Sequence, residues 1–503
     1  MRRLKEYIAY TDTQGRIGVF LLLALAGIGF LCLAGLATKP VAVLLAAASS
    51  VLVGAGAYVE KGWLRLTPLP PLTAICVCGW LRSGIGGTLM ALSTEDSQND
   101  ALKAMWVFLP ETQLLWMCMM TATVIVFAWK KPINPKRKSE CWGNKHANAG
   151  RLIQITALCG IFALAWIVVG NSYGTLDRNP EKYLHWAARS WRPDSYFVVF
   201  SRFRDVFFVA APLAIQKSRG WARLFLIACI LAYLALAFPL GGRGLVMWPL
   251  IYLWCGLLIT DLRKRLIMLA STGLLIAGLT ILPAIQLYKI ELQTAAGLEE
   301  GHSRYNAAVA AVAATVSQGP LRDGGYWRDL GRPIYGCIDG LLFDKPASEK
   351  PRAGLARITN VFTAWIPGTL YPRRLPVRDA HLIAAEASGL SRKEAETKNY
   401  TSHDCVSFGG DLYWRGGWVA VILGSFVFAV LFRVFSSFWY RFASNEQWWS
   451  ILLMMYPATF LQAMPLGSLG ETAWSWTWEL PKYVALVGGV HLLRSRLGRQ
   501  RIH

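Results

Sequence analysis

The sequence predicts an all-α fold, a polytopic membrane helix bundle of about twelve transmembrane helices with one large, partly helical exoplasmic loop. Three observations predict it. The first is composition. Hydrophobic residues make up 54% of the 503-residue chain, charged residues only 16%, and mean hydropathy is +0.36, whereas soluble domains are nearer a quarter charged. The second is a series of apolar runs long enough to meet the requirement of about 20 residues per spanning helix. Their centres fall near Leu25, Ala48, Trp80, Thr121, Phe162, Val206, Leu231, Leu250, Leu274, Leu423, Met454 and Leu486. The third is the alternation of charge between those runs.

Basic clusters precede the first run (Arg2, Arg3, Lys5, Arg16) and follow the second (Lys61, Arg65), the fourth (Lys130, Lys131, Lys136, Arg137, Lys138), the sixth (Lys217, Arg219, Arg223) and the eighth (Arg263, Lys264, Arg265). Arg433 and Arg441 flank the connection after the tenth run, and Arg494, Arg496, Arg499 and Arg501 follow the last. The opposite connections are acidic or mixed. By the positive-inside rule both termini are cytoplasmic and the acidic connections exoplasmic. No small-residue cleavage site follows the first run, so it reads as an uncleaved span.

Residues 1–286 are thus expected to hold spans one to nine, 287–415 the large loop, and 416–503 spans ten to twelve with a cytoplasmic tail. A connection of this length is uncommon unless it carries function. The loop contains 16 Lys/Arg against 14 Asp/Glu, so most of the net +22 lies in the short clusters beside apolar runs. That distribution argues for topology and contact with membrane lipids rather than nucleic acid.

Seven of the ten cysteines sit in or beside apolar runs and are expected to pack as small hydrophobes. Cys337 and Cys405 lie in the loop, where a disulfide is permitted. There is no Walker A run, no dinucleotide fingerprint and no HExxH. Nothing calls for a nucleotide, flavin or metal, and no cofactor is expected.

Charges inside apolar runs are costly and usually face a cavity or a partner. Three places stand out: Ser201-Arg202-Phe203-Arg204-Asp205 at the start of the sixth run, Gly241-Gly242-Arg243-Gly244 between the seventh and eighth, and Arg82 within the third. Arg202 and Asp205, three apart, are spaced to pair across one helical turn, which leaves Arg204 on another face. Arginine grips phosphate oxygens through two parallel hydrogen bonds, so Arg202, Arg204 and Arg243 are candidates for a membrane-anchored pyrophosphate; interfacial snorkelling is the plain alternative.

The loop carries a helical pattern over Arg304–Ser317, an extended Tyr371-Pro372-Arg373-Arg374-Leu375-Pro376 and a second helix-like stretch, Asp379–Ser388. It closes with Thr401-Ser402-His403-Asp404-Cys405-Val406-Ser407-Phe408-Gly409-Gly410-Asp411-Leu412-Tyr413-Trp414-Arg415-Gly416-Gly417, which runs into the tenth span. His403 is a candidate general base near neutral pH, and Asp404 or Asp411 could act likewise or orient it. The aromatics are candidates for stacking on sugar faces. The structural alternative is a capped helix entry, with Asp411 favoured by the helix dipole.

With Pro-Arg-Arg-Leu-Pro in a late exoplasmic loop, Thr-Ser…Phe-Gly-Gly-Asp…Gly-Gly entering the next span and the Gly-Gly-Arg-Gly turn at Arg243, the chain resembles the Wzy-type O-antigen or oligosaccharide repeat-unit polymerases. Arg357…Gly368 and Arg378…Gly389 also fit the Arg-x10-Gly spacing found in the periplasmic loops of that family. The resemblance implies a GT-C-like helical fold in the bacterial inner membrane with the large loop periplasmic. It implies metal-independent transfer of a growing glycan from undecaprenyl pyrophosphate to another lipid-linked repeat unit, with a chain-length regulator and a flippase as candidate partners. In that scheme Arg202, Arg204 and Arg243 stabilise the leaving pyrophosphate, and His403, Asp404 or Asp411 accepts the acceptor hydroxyl's proton. Arg373, Arg374 and Arg415 bind substrate or brace the loop. An O-antigen ligase shares this architecture and leaving group, and a transporter or flippase of lipid-linked glycans shares the span count, although no internal repeat supports it.

Overall fold

The computed structural model describes residues 39–65, 70–93, 100–129, 149–172, 200–240, 243–260, 271–273, 280, 284, 309–310, 312–314, 316–317, 339–343, 358, 383, 386, 406–443, 468–469 and 472. They are helical almost throughout, with no strand among them. Helix α1 is Pro40–Val59 and α2 is Pro71–Ala91, followed by the shorter α3, Asp100–Val107. Helices α4 (Leu109–Trp129), α5 (Ala149–Ser172), α6 (Phe200–Lys217), α7 (Trp221–Ala237) and α8 (Arg243–Ile259) follow. A 3-10 turn over Asp339–Leu342 precedes the long α9, Phe408–Ala443.

Among the described residues, six stretches are long and apolar enough to cross a membrane: Pro40–Val59, Pro71–Ala91, Leu109–Trp129, Leu152–Gly170, Trp221–Leu240 and Phe408–Ser437. They coincide with the expected runs around Ala48, Trp80, Thr121, Phe162, Leu231 and Leu423. Helix α6, at Val206, carries Arg202, Arg204, Asp205 and Lys217 in 18 residues and falls outside that apolar class. The apolar part of α8, Gly244–Leu257, is shorter than a span. The expected spans around Leu25, Met454 and Leu486 lie outside the described residues, as do Cys337 and Cys405. The described cysteines, Cys76, Cys78, Cys118, Cys159, Cys229 and Cys255, form no disulfide with one another.

Local chemistry explains the element boundaries. Proline at the first position of α1 and α2 supplies a helical φ and forgoes an N–H that would have no partner there. Helix α2 changes to π geometry over Trp80–Gly86, around Arg82. Such bulges displace backbone carbonyls, which need partners in an apolar setting. Gln113 of α4 answers this, donating from Nε2 to the Ser83 carbonyl (2.5 Å) and the Ala42 carbonyl of α1 (3.0 Å). Arg82 itself is buried, its guanidinium 5.6 Å from the centre of the Trp116 ring.

Of the three apolar cores among the described residues, two are the larger. Helices α5 to α8 enclose Phe207, Phe208, Tyr233 and Tyr252, joined by Cys78 of α2. Helices α6 and α8 run parallel: Gly256, lacking a Cβ, admits the Val209 carbonyl and Pro212, while Tyr252, one turn earlier, lies in the field of Arg204. The other core joins α2, α4 and α9 through Ile75, Trp116, Phe127, Phe428 and Phe432.

Helix α9 is not one rod. Gly416 (φ −151°, ψ 18°) and Gly417 (φ 64°, ψ −157°) leave helical geometry, and Gly417 takes a positive φ that only glycine adopts freely. The chain reverses there. The Phe408 and Phe428 rings lie 5.4 Å apart, and a Cβ on Gly424 would sit 2.6 Å from Leu412 Cδ1. On a straight helix those pairs would be separated by about 30 and about 18 Å. Both contacts pair residues equidistant from the same point, as an antiparallel hairpin requires. Residues 408–415 therefore form a short arm folded back along the first half of the stretch that begins at Trp418. The residues after the reversal, 418–437, alone meet the length of a span. Their outward face, with Val419, Leu423, Val427 and Val434, is exposed and apolar. Helical structure thus begins at Phe408, and Asp411 and Arg415 belong to the folded-back arm.

Candidate functional site

Arg202 and Arg204 stand in the first turns of α6, and both engage Asp205. Arg202 Nη1 lies 3.3 Å from Asp205 Oδ2; Arg204 contacts Oδ1 through Nε (2.7 Å) and Nη2 (2.5 Å). The expectation that Arg204 would face away from the Arg202–Asp205 pair is corrected: its long side chain curls back to the neighbouring carboxylate. Its guanidinium also lies 5.2 Å from the centre of the Trp166 ring on α5. Asp205 is fully buried and Arg204 is 4% exposed. A guanidinium stacked on an aromatic face and oriented by a carboxylate is a rigid cation, the form in which arginine best recognises phosphate.

Arg243, expected in a turn, is the first residue of α8. Because α8 parallels α6, both Arg-bearing N-terminal ends point the same way, and helix N-termini favour anions. Nine residues of helix separate Arg243 from Tyr252, the residue level with Arg204, an axial offset of about 13 Å.

The second cluster is built on the reversed arm. Asp411 Oδ1 meets Arg415 Nε one turn later at 2.8 Å, and Oδ2 accepts the Leu469 N–H at 2.8 Å. The acid lies in the first turn of the arm and the base in its last, the arrangement that complements a helix dipole. Asp411 is fully buried and engaged on both oxygens, so the alternative of a capped helix entry describes its surroundings better than that of an open proton acceptor. Trp414, expected as a sugar platform, is buried in the core, and Tyr413 stacks on Phe343, ring centres 4.3 Å apart.

The residue that sequence reasoning missed is Asp339. Its Oδ1 accepts the N–H of Ser407 at 2.7 Å, while Ser407 Oγ accepts the N–H of Gly410 at 3.0 Å. Gly410 has no side chain where Asp339 Oδ1 approaches. Asp339 is fully buried, and its Oδ2 has no hydrogen-bond partner among the described residues. Burial pushes its carboxyl up to about 6, against the pull of Ser407. Its only sequence signal was an acidic residue before Gly340, one of fourteen in the loop.

Arg202 and Arg204 are thus brought together by Asp205, and Asp411 and Arg415 by each other. The first group lies in the core of α5 to α8, the second on the arm packed against α4. His403, Asp404, Arg373 and Arg374 lie outside the described residues. Among the described residues, these features define a helical protein with six helices of membrane-crossing length and two buried ionic clusters. A scan against protein-family models, a search of curated proteins and a search of solved structures each returned no match.

Proposed function

We propose that the chain is an integral-membrane glycosyltransferase that polymerises undecaprenyl-pyrophosphate-linked repeat units on the periplasmic face of the bacterial inner membrane. The observation that carries this reading is the buried Arg202–Asp205–Arg204 cluster, enclosed by the apolar core of α5 to α8 on a helix packed parallel to one that begins with Arg243. Ionisable groups within apolar helices mark functional sites by default. Pre-oriented guanidinium groups suit the charge that develops on a departing pyrophosphate oxygen, and a water-poor setting strengthens that stabilisation. The anomeric carbon–oxygen bond to the pyrophosphate breaks as the acceptor hydroxyl attacks. That hydroxyl's proton passes to an acceptor, with His403 and Asp404 the remaining candidates of the closing segment.

The test uses purified protein in liposomes supplied with lipid-linked repeat units alone. A ladder of lengthening products is expected, and Arg204→Ala should reduce its rate by about 100-fold, the scale for removing one preorganised donor. Arg204→Lys should not rescue, because a point charge lacks the planar fork. Product only on addition of a lipid A core acceptor would mark a ligase. Translocation of labelled lipid without elongation would mark a flippase, and either result would displace the polymerase reading.

A further inference from the structure

We propose that Asp339 is a positioning residue of the site: reaching in from the long polar stretch, it holds the folded-back arm 408–415 in place and so sets the Asp411–Arg415 pair. The proposal rests on the glycosyltransferase reading for its consequence in catalysis, and on geometry for the rest.

A short arm that doubles back on a span has few means of staying there. It has eight residues, and isolated helices of that length are unstable in water. Its apolar grip is Phe408 on Phe428 and Leu412 over Gly424. Those contacts fix its side-on packing but leave its N-terminal N–H groups without helical acceptors. Asp339 and Ser407 meet that need in series. The carboxylate takes the Ser407 N–H, the Ser407 hydroxyl takes the Gly410 N–H, and the Ser407 carbonyl takes the Asp411 N–H at 2.9 Å. The carboxylate thereby also places a negative charge at the positive end of the arm's dipole.

The anchor is itself anchored. The Asp339–Leu342 turn packs on α3, where Gly340 fits closely against the Ala104 carbonyl, and Leu341 and Leu342 are buried with Met105, Leu109 and Val406. Phe343, directly after the turn, lies between the Phe108, Tyr413 and Trp418 rings. A rigid piece of the polar stretch is therefore seated on α3 and α4 and presents one carboxylate to the arm. Gly410 completes the fit, since any side chain there would occupy the position of Asp339 Oδ1.

The experiment places cysteines at Leu412 and Gly424 of the full chain in native membranes and reads their oxidative cross-link by mass spectrometry of the joined peptides. On a straight helix these positions lie about 18 Å apart and cannot join. Efficient cross-linking is expected in the parent pair. Asp339→Asn, which keeps an oxygen for the Ser407 N–H, should retain it. Asp339→Ala should slow it by roughly tenfold, the scale of a lost charge-assisted hydrogen bond. Should Asp339→Ala fail to fold, Gly410→Ala gives the same reading by displacing the carboxylate. No cross-link in the parent pair would overturn the reversed arm; equal rates in the parent pair and in Asp339→Ala would overturn the anchoring role.

The same variants, without the cysteines, are then assayed for elongation of lipid-linked repeat units. Asp339→Ala should lower kcat with little change in KM, and Asp339→Asn should restore it. Loss of turnover in Asp339→Asn while its arm still cross-links would overturn positioning in favour of direct chemistry. If no chain, wild type included, elongates the substrate while the cross-link depends on Asp339, the anchor stands and the glycosyltransferase reading falls.

Discussion

Two buried carboxylates, one near each end of α9, make opposite use of their surroundings. Glu60, at the end of α1, accepts the N–H groups of Leu72 (3.0 Å) and Thr73 (2.7 Å), the Thr73 hydroxyl (2.9 Å) and the Tyr440 hydroxyl. It caps α2 from outside and ties that helix to the far end of α9, where Trp63 also packs on Trp439 and Tyr440. Asp339, at the near end, accepts one backbone N–H and leaves its second oxygen without a partner among the described residues. Burial pushes both carboxyls up, Glu60 to about 7 despite its Tyr440, Thr73 and Leu72 donors, and Asp339 to about 6. A carboxylate saturated with donors is a structural joint. One that is desolvated and half satisfied costs stability, and a fold tolerates such groups chiefly where function needs them.

The largest expected effect is at the joint. Glu60→Ala strands two backbone donors and two hydroxyls in an apolar interior, and should lower stability by about 4 kcal/mol in denaturant unfolding. Tyr440→Phe, which removes one donor, should cost only about 1 kcal/mol. Equal costs for the two variants would mean that the Glu60 knot rests on Tyr440 alone.

Next in size is the response to pH. Both carboxyls titrate higher in the folded chain than their ordinary 3.8 and 4.5, so folding favours their protonated forms. Their contribution to stability is full below the ordinary values. It is lost as pH rises through about 6 for Asp339 and about 7 for Glu60. Asp339→Asn should remove the lower part of that decline and leave a protein more stable than wild type above pH 6, by up to about 3 kcal/mol. An unchanged pH profile would show that Asp339 is better solvated than its burial implies. The smallest effect concerns the hairpin. Gly424→Ala pushes a methyl group into Leu412 and should cost about 1.5 kcal/mol. Adding Leu412→Ala should cancel the steric part of that cost, as a coupled pair requires.

Periodicity and local spacing made much of the architecture legible. The apolar runs that became α1, α2, α4, α5, α7 and the long arm of α9 were visible because an unbroken stretch of about 20 apolar residues has few other soluble or membrane uses. The Arg202–Asp205 contact was visible because residues three apart face each other on a helix. Arg204 reaches Asp205 against its helical spacing, because backbone angle alone says nothing of where a long side chain bends. By its sequence, the closing segment runs straight into the tenth span. Gly416-Gly417 marked flexibility, but neither glycine reveals that the chain turns back on itself.

Composition and hydropathy, being sums over neighbouring residues, determined by themselves that this chain is helical and apolar enough to cross a membrane several times. Spacing along one helix determined which charges could pair locally. Only the tertiary structure decided that Asp339 meets Ser407 across 68 residues and that Glu60 meets Tyr440 across 380. It also decided that Phe408 doubles back to Phe428. Such contacts depend on which helices pack together and at what depth, and no local pattern encodes that choice.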